Sequence, residues 1–272
     1  MKYYSKQELK ARLQHVIDSK KAVIIASAGL GMAAKYIERG GADMICINAP
    51  AYYRMQGLPA LTGCIAVGNC DDLVADLCRR MQTVIQDTPV IAGVYCNEKM
   101  LGDMSGYFSA MKEMGVSGVM TFPSCALHDG KYRKYLETGG NGLQQELGRM
   151  KLAGEMGLTT IGMAIDLEDA VAVAQAELDM LVINLGYRKV DLDIPVDNAV
   201  STVNRIEKAV HDIHPEMQIF IHGGPLSSLE NMQYILERTH TVGLLDGHFA
   251  RPLAMDKPIA DVVRDFKSRK LR

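Results

Sequence analysis

The first features of this sequence are absences. The 272 residues include no tryptophan and only 6% aromatic residues, and no hydrophobic run is long enough to cross a membrane. The N-terminal residues MKYYSKQELKARLQHV lack the hydrophobic region of a signal peptide. The six cysteines form no CxxC pair and have no metal-ligand spacing, and several lie within hydrophobic runs. We therefore expect reduced thiols in a cytoplasmic protein.

A strong charge imbalance is also missing. The chain has 30 Lys and Arg residues against 32 Asp and Glu residues, which gives a formal net charge of −2. This balance provides no electrostatic reason to expect a nucleic acid or an anionic membrane as partner. Hydrophobic residues make up 48% of the chain, which is enough for one large α/β core. No linker or low-complexity tract interrupts residues 1–272, so we expect a single domain.

What is present is a repeated pattern of short hydrophobic runs. Each run is continuous rather than alternating, which is typical of parallel strands covered on both faces, and a helical pattern separates each run from the next. Eight such units predict a (β/α)8 TIM barrel, with an open doubly wound sheet as the alternative. We expect a further helix at each end, over 5–19 and near 260–267. The predicted strands are 22–26, 43–48, 89–95, 118–122, 159–164, 180–184, 219–221 and 242–245.

Two connections are longer than the others. Residues 49–63 and 123–142 carry no clear strand pattern, and we expect irregular loops that cover one end of the barrel. Long loops in a compact domain are usually functional. Because chemistry in this fold occurs at the C-terminal ends of the strands, the polar residues just after each run are the candidates for a site.

The most informative stretch is Gln218–Ser228, QIFIHGGPLSS. A buried strand ends at His222, and Gly223 and Gly224 free the backbone before a helix. Glycine N–H groups beside a helix N-terminus favour an anion, and a histidine at a strand end can transfer a proton. A tight turn with a structural histidine is the alternative interpretation.

The other candidates each have a structural alternative. Ser27 and Gly29 follow the first run and either bind substrate or permit a close turn. Asn48 follows the second run and is a candidate substrate ligand. Arg54 either binds a substrate carboxylate or phosphate, or forms an internal ion pair with Glu137 or Asp129.

Two further candidates lie near other strand ends. Glu98 is a metal ligand, a catalytic carboxylate or the start of a capped helix. Arg251 follows the eighth run, and we expect it to lie near a glycine-lined anion pocket formed by the last two loops. Cys125 has the position of a nucleophile, but the sequence shows no base that would activate it.

Segments along nearly the whole chain point to a known family. They read AGLGMAAKYIERGGADMI, RMQGLPALTG, DTPVIAGV, GVMTFP, HDGKYRKYLE, IHGGP and YILERT. In this order they resemble the phosphoenolpyruvate hydrolase-like TIM-barrel family, also described as a TIM-barrel signal-transduction domain. Positions similar to those of the family include Gly29, Asn48, Arg54, Asp129, Arg133, Glu137, Glu146, His222, Gly223, Gly224 and Arg251.

The resemblance implies kinship with the phosphoenolpyruvate mutase and isocitrate lyase superfamily, which acts on small keto or hydroxy acids with Mg²⁺. It implies an enzyme that cleaves a P–C, P–O or C–C bond of a small anionic keto acid, with Glu98 binding Mg²⁺ or a water and His222 transferring a proton. A non-catalytic ligand-sensing or assembly barrel is the alternative. By analogy with such barrels we also expect a homo-oligomer.

Overall fold

Eight parallel strands close into a barrel. The structure, a computed structural model of the chain, describes residues 1–64, 69–95, 102–186, 195–226 and 229–246. Each strand pairs with the next along the chain, and the eighth pairs with the first. This closure confirms the predicted (β/α)8 barrel and excludes the open sheet. The strands are β1 Val23–Ala28, β2 Met44–Ile47, β3 Val90–Val94, β4 Val116–Thr121, β5 Thr159–Ala164, β6 Met180–Asn184, β7 Gln218–His222 and β8 Gly243–Asp246.

One or two helices separate each strand from the next in chain order. None of the helices within the described ranges is both long and apolar enough to cross a membrane. The predicted closing helix near 260–267 lies outside the described residues. The helices are α1 Lys6–Asp18, α2 Gly31–Arg39, α3 Ala49–Met55, α4 Cys70–Met81, α5 Met104–Glu113, α6 Gly130–Thr138, α7 Leu143–Glu155, α8 Leu167–Gln175, α9 Val196–His211 and α10 Leu229–Leu236.

The two long connections are more ordered than we predicted. The first forms α3 and a 3-10 helix over Ala60–Gly63, and the second contains α6. The expectation of irregular loops was therefore wrong. The sequence does contain the start signal of α3, because Asn48 caps it and a proline occupies its first turn. Tyr132, Tyr135 and Leu136 recur at helical spacing in α6, but no residue of this helix is buried.

Successive strand residues face two different hydrophobic cores. Residues on one side of each strand pack against the surrounding helices. Residues on the other side fill the barrel interior, and this alternation follows from the two-residue period of a strand. The interior core includes Ile25, Cys46, Ile91, Met120, Met163, Val182, Phe220 and Leu245.

Helix α1 closes the N-terminal end of the barrel. Its residues Leu9 and Leu13 are buried and belong to the interior core. The helix begins with a capping box, in which the Ser5 backbone N–H donates to Glu8 at 2.8 Å while Ser5 Oγ accepts from the Glu8 N–H at 3.3 Å. The opposite, C-terminal end of the barrel is the end at which the candidate residues lie, and we call it the mouth.

Candidate active site

Polar side chains face the barrel interior where several strands end. Each of them continues the alternation of its strand, because the residue two positions earlier belongs to the interior core. Two of these residues are direct neighbours in the β6–β7 register, namely Asn184 and His222. The predicted site residues Ser27, Asn48 and His222 therefore share the mouth. All of the inward polar residues except His222 are buried; the set is Ser27, Asn48, Asn184 and His222.

The ring of His222 is fixed from two directions. Its Nδ1 lies 2.7 Å from the carbonyl oxygen of Leu245 on β8. A carbonyl oxygen only accepts, so Nδ1 carries the proton of the neutral ring and Nε2 is its basic nitrogen. The ring of Phe122, directly after β4, meets it edge to face with 5.9 Å between centroids. These two contacts set the tautomer and the orientation of the ring.

The glycine turn after His222 has the predicted backbone. Gly223 and Gly224 adopt φ values of +70° and +59°, a left-handed conformation that favours glycine. A Cβ on Gly224 would lie 2.9 Å from the Cβ of Leu185, so the turn also packs closely on the chain after β6. Within the part of the chain that the structure describes, neither glycine N–H has a hydrogen-bond partner. The turn thus provides two adjacent backbone N–H groups directly after the histidine, and a Cβ on Gly186 would lie 2.9 Å from the nitrogen of Gly224.

The two inward asparagines bond to the protein itself. Asn48 Oδ1 accepts the N–H of Ala51 at 2.8 Å, and this bond caps α3. Asn184 Oδ1 accepts the N–H of Gly186 at 3.0 Å, in the segment that the glycine turn packs against. A Cβ on Gly93 would lie 2.7 Å from that of Asn48, so Gly93 makes room for the amide. Both asparagines shape the mouth, and substrate binding by Asn48 stays a prediction.

Gly29 has a packing role at this end of the barrel. A Cβ there would collide with the backbone of Ala51 and Tyr52 at the start of α3. Glycine therefore lets the chain after β1 approach α3 closely, next to the inward Ser27. A role of Ser27 and Gly29 in substrate binding stays a prediction.

For the other predicted site residues, Arg54, Glu98 and Arg251, the structure gives less information about their position at the mouth. Arg54 lies in the last turn of α3 and is partly exposed. Glu137 and Asp129 were the two carboxylates predicted as possible ion-pair partners of Arg54. Glu137 forms an ion pair with Arg133, whose Nε donates to it at 3.0 Å. Glu98 and Arg251 lie outside the described residues, and so their assigned roles also stay predictions.

Sequence reasoning assigned no role to a second polar cluster beside the mouth. Glu146, in the first turn of α7, is buried and accepts two hydrogen bonds from the segment after β4. The Ser124 hydroxyl donates to it at 2.7 Å, and the backbone N–H of Cys125 donates at 2.5 Å. The only sequence signal was the similarity of Glu146 to a family position, since no local spacing links it to residues more than 20 positions earlier.

The electrostatics of this cluster follow from its burial. Burial is the main reason that the pKa of Glu146 is raised to about 8, and the nearby charge of Asp169 also raises it. The hydrogen bonds from Ser124 and Cys125 and the charge of Arg149 lower this pKa, but they do not outweigh the effect of burial. Burial, followed by the charge of Glu146, raises the pKa of the Cys125 thiol to about 11. Little thiolate forms at neutral pH, which argues against Cys125 as a nucleophile.

An ion pair beside this cluster holds α6 in place. Arg133 on α6 donates to the buried carboxylate of Asp169 on α8 at 2.6 Å. Hydrogen bonding to Asp169 is the first reason that the pKa of Arg133 is raised. Because α6 buries none of its own residues, this charge-assisted contact is one of the links between α6 and the barrel, together with the ring contact of Tyr132 with His128.

The described residues do not by themselves fit a Mg²⁺ site. Over these ranges, no group of three or more His, Cys, Asp or Glu side chains is placed to hold a metal ion. The inward amide oxygens of Asn48 and Asn184 already accept backbone N–H groups. Mg²⁺ prefers several oxygen ligands in octahedral geometry, usually including carboxylates. Glu98, the predicted metal ligand, is not among the described residues.

Fold and mouth together define a TIM barrel with a histidine and a glycine turn at its C-terminal end. The sequence profile of the phosphoenolpyruvate hydrolase-like family matches residues 8–269, and the chain belongs to this family. Two proteins of Solanum lycopersicum, the ToMV resistance protein Tm-1(GCR237) and the ToMV susceptible protein tm-1(GCR26), are each 31% identical over 263 residues. The match covers 94% of this chain and 35% of each relative, so the chain spans about a third of their length.

Solved structures agree on the fold. A phosphoenolpyruvate phosphomutase from Streptomyces platensis subsp. rosaceus has a TM-score of 0.62 at 16% identity, covering 95% of this chain and 86% of its own. A phosphonopyruvate hydrolase in complex with oxalate and Mg²⁺ has a TM-score of 0.60 at 14% identity, covering 94% and 87%. A tryptophan synthase α chain from Legionella pneumophila subsp. pneumophila reaches 0.63 at 13% identity, covering 93% and 89%. These likenesses identify the barrel and do not choose among chemistries.

Proposed function

We propose that the mouth of this barrel binds a small keto acid bearing a phosphonate, phosphate or carboxylate group and cleaves it by hydrolysis or lysis. The observation that carries the proposal is His222, with its tautomer set by Leu245, beside the Gly223–Gly224 turn. Adjacent backbone N–H groups attract an anionic group, and imidazole changes its protonation near neutral pH. Membership of the phosphoenolpyruvate hydrolase-like family supports this choice of substrate.

Phosphonopyruvate illustrates the proposed chemistry. Water adds its oxygen to phosphorus while the P–C bond breaks, and the electron pair of that bond passes to the pyruvate enolate. Nε2 of His222 accepts a proton from the water and returns it to the methylene carbon, which gives phosphate and pyruvate. The N–H groups of the glycine turn, together with Arg54, stabilise the negative charge of the substrate.

Mg²⁺ is a candidate cofactor of this reaction. The phosphonopyruvate hydrolase of similar fold was solved with Mg²⁺ and oxalate, and Glu98 is the residue we expect to bind the ion here. Because the described residues do not form a carboxylate cluster, no step of the proposed reaction is assigned to the metal. When bound, Mg²⁺ would supply charge stabilisation to the keto acid.

The test is turnover of a panel of phosphonopyruvate, phosphoenolpyruvate and oxaloacetate, with added Mg²⁺ and with EDTA. We expect phosphate release, followed by ³¹P NMR, from at least one of the two phosphorus compounds. His222→Asn should lower kcat by about 100-fold or more, the usual contribution of general acid–base catalysis. His15→Asn is the matched control, because His15 is exposed on α1 at the opposite end of the barrel. A protein that turns over none of these acids under either condition contradicts the catalytic proposal.

Ligand binding without turnover is the second candidate function. The curated relatives are named for virus resistance and susceptibility rather than for a reaction, and the two inward asparagines serve the backbone. In this case oxalate should raise the melting temperature in a concentration-dependent way while no product forms. His222→Asn should then weaken the stabilisation, whereas His15→Asn should leave it unchanged.

A further inference from the structure

The buried carboxyl of Glu146 is joined to the ring of His222 through one short segment. Glu146 accepts hydrogen bonds from Ser124 and Cys125, which are the third and fourth residues after the end of β4 at Thr121. The same segment begins with Phe122, whose ring meets that of His222 at 71°. Phe122 is 4% exposed and belongs to the interior core, so its ring has little freedom once the segment after it is fixed.

We propose that Glu146 is a positioning residue that holds the segment after β4 so that Phe122 fixes the ring of His222. Phe122 then acts on the ring from β4, while the Leu245 carbonyl acts on it from β8. The inference rests on the proposed function in one respect, since that function makes His222 the proton carrier.

Hydrogen bonding explains why a carboxyl occupies this buried position. The N–H of Cys125 donates to Glu146 Oε1, and Ser124 Oγ donates to Oε2 while also accepting the N–H of Ala126 at 3.1 Å. A hydrophobic side chain of similar size would leave the buried Cys125 N–H without an acceptor, which is unfavourable. The two carboxyl oxygens of Glu146 on α7 therefore fix the position of the backbone and side chain of the segment after β4.

The test compares the environment of His222 between variants by NMR of ¹³C-histidine-labelled protein without substrate. The His222 Cε1–H and Cδ2–H signals are assigned by their loss in His222→Asn. Glu146→Leu removes both acceptors, and Ser124→Ala removes one donor; each should shift the His222 signals and its titration midpoint. Glu146→Gln keeps one acceptor and can donate to Ser124, so it should preserve the wild-type signals.

The matched control is Glu155→Leu, the same substitution at an exposed position of the same helix, which should leave the His222 signals unchanged. Wild-type His222 signals and titration in folded Glu146→Leu or Ser124→Ala would overturn the inference. If Glu146→Leu does not fold, Ser124→Ala decides alone. Because no substrate is present, a negative result in the turnover assay would not affect this comparison.

Discussion

Single glycines at the mouth are under steric constraints that can be tested directly. Gly29→Ala should destabilise the protein by roughly 1–3 kcal/mol, because its Cβ would collide with the backbone of Ala51 and Tyr52 rather than with a movable side chain. Chemical denaturation followed by circular dichroism measures this change. Since α3 carries Arg54, the displaced helix should also weaken oxalate binding if the proposed site is correct.

Gly148 provides the matched control for this substitution. It lies inside α7, and a Cβ there would meet no atom within 4 Å. Gly148→Ala should therefore stabilise the protein by about 0.5–1 kcal/mol through helix propensity alone. Equal effects of the two substitutions would show that the close approach at Gly29 is not a constraint on stability.

The residues at the strand ends were the most predictable part of the candidate site. A polar residue after a continuous hydrophobic run lies at the mouth once the barrel is assumed, and this placed Ser27, Asn48 and His222 correctly at that end. Their hydrogen bonds were not predictable, because partners such as Leu245 for His222 come from another strand. The Glu146 cluster was missed for the same reason, since its contacts join residues distant in sequence.

At the scale of elements, the contact between α7 and the segment after β4 should make stability depend on pH. The pKa of Glu146 is raised by burial from 4.5 to about 8 in the folded chain. Below about pH 4.5 the carboxyl is protonated in both folded and unfolded chains. Between there and about pH 8 only the unfolded chain loses the proton, so the free energy of unfolding falls as the pH rises.

Glu146→Gln should remove this dependence. The free energy of unfolding of the variant minus that of the wild type should be larger at pH 8 than at pH 5, by on the order of a few kcal/mol. Urea unfolding at the two pH values measures the difference. Glu155→Gln, on the exposed end of the same helix, should follow the wild type and thus correct for the titration of other groups. The facing groups Arg149, Asp169, Cys125 and Tyr95 are unchanged in both variants. A wild-type pH profile in Glu146→Gln would contradict the assignment.

The elements themselves were predictable to different degrees. Strands were found because each is a hydrophobic run between helical patterns, and β5 and β6 have the predicted bounds. Helices α3 and α6 were not predicted: α3 has only two turns, and α6 has only a short apolar pattern at Tyr132, Tyr135 and Leu136. Hydrophobic periodicity is most reliable for elements that contribute to a core, and α6 instead contacts α8 through the ion pair of Arg133 with Asp169.

At the scale of the whole molecule, α1 joins the N-terminal end of the barrel to its interior core. Leu9→Ala should destabilise the protein by about 2–5 kcal/mol, because the fully buried side chain would leave a cavity beneath the strands. Thermal unfolding should remain a single transition at a lower melting temperature, since the same core connects α1 to all parts of the barrel. The exposed neighbour Gln7→Ala should change the midpoint little. An early, separate transition in Leu9→Ala would show that α1 unfolds independently.

The position of α1 also has a practical consequence. A tether attached to an exposed residue of this helix, for example through Ala11→Cys, would anchor the barrel by its base. The ring of His222 and the glycine turn would then point away from the support. If the proposed ligand binding is correct, immobilised sensors for small organic acids could be built on this chain with the mouth facing the solution.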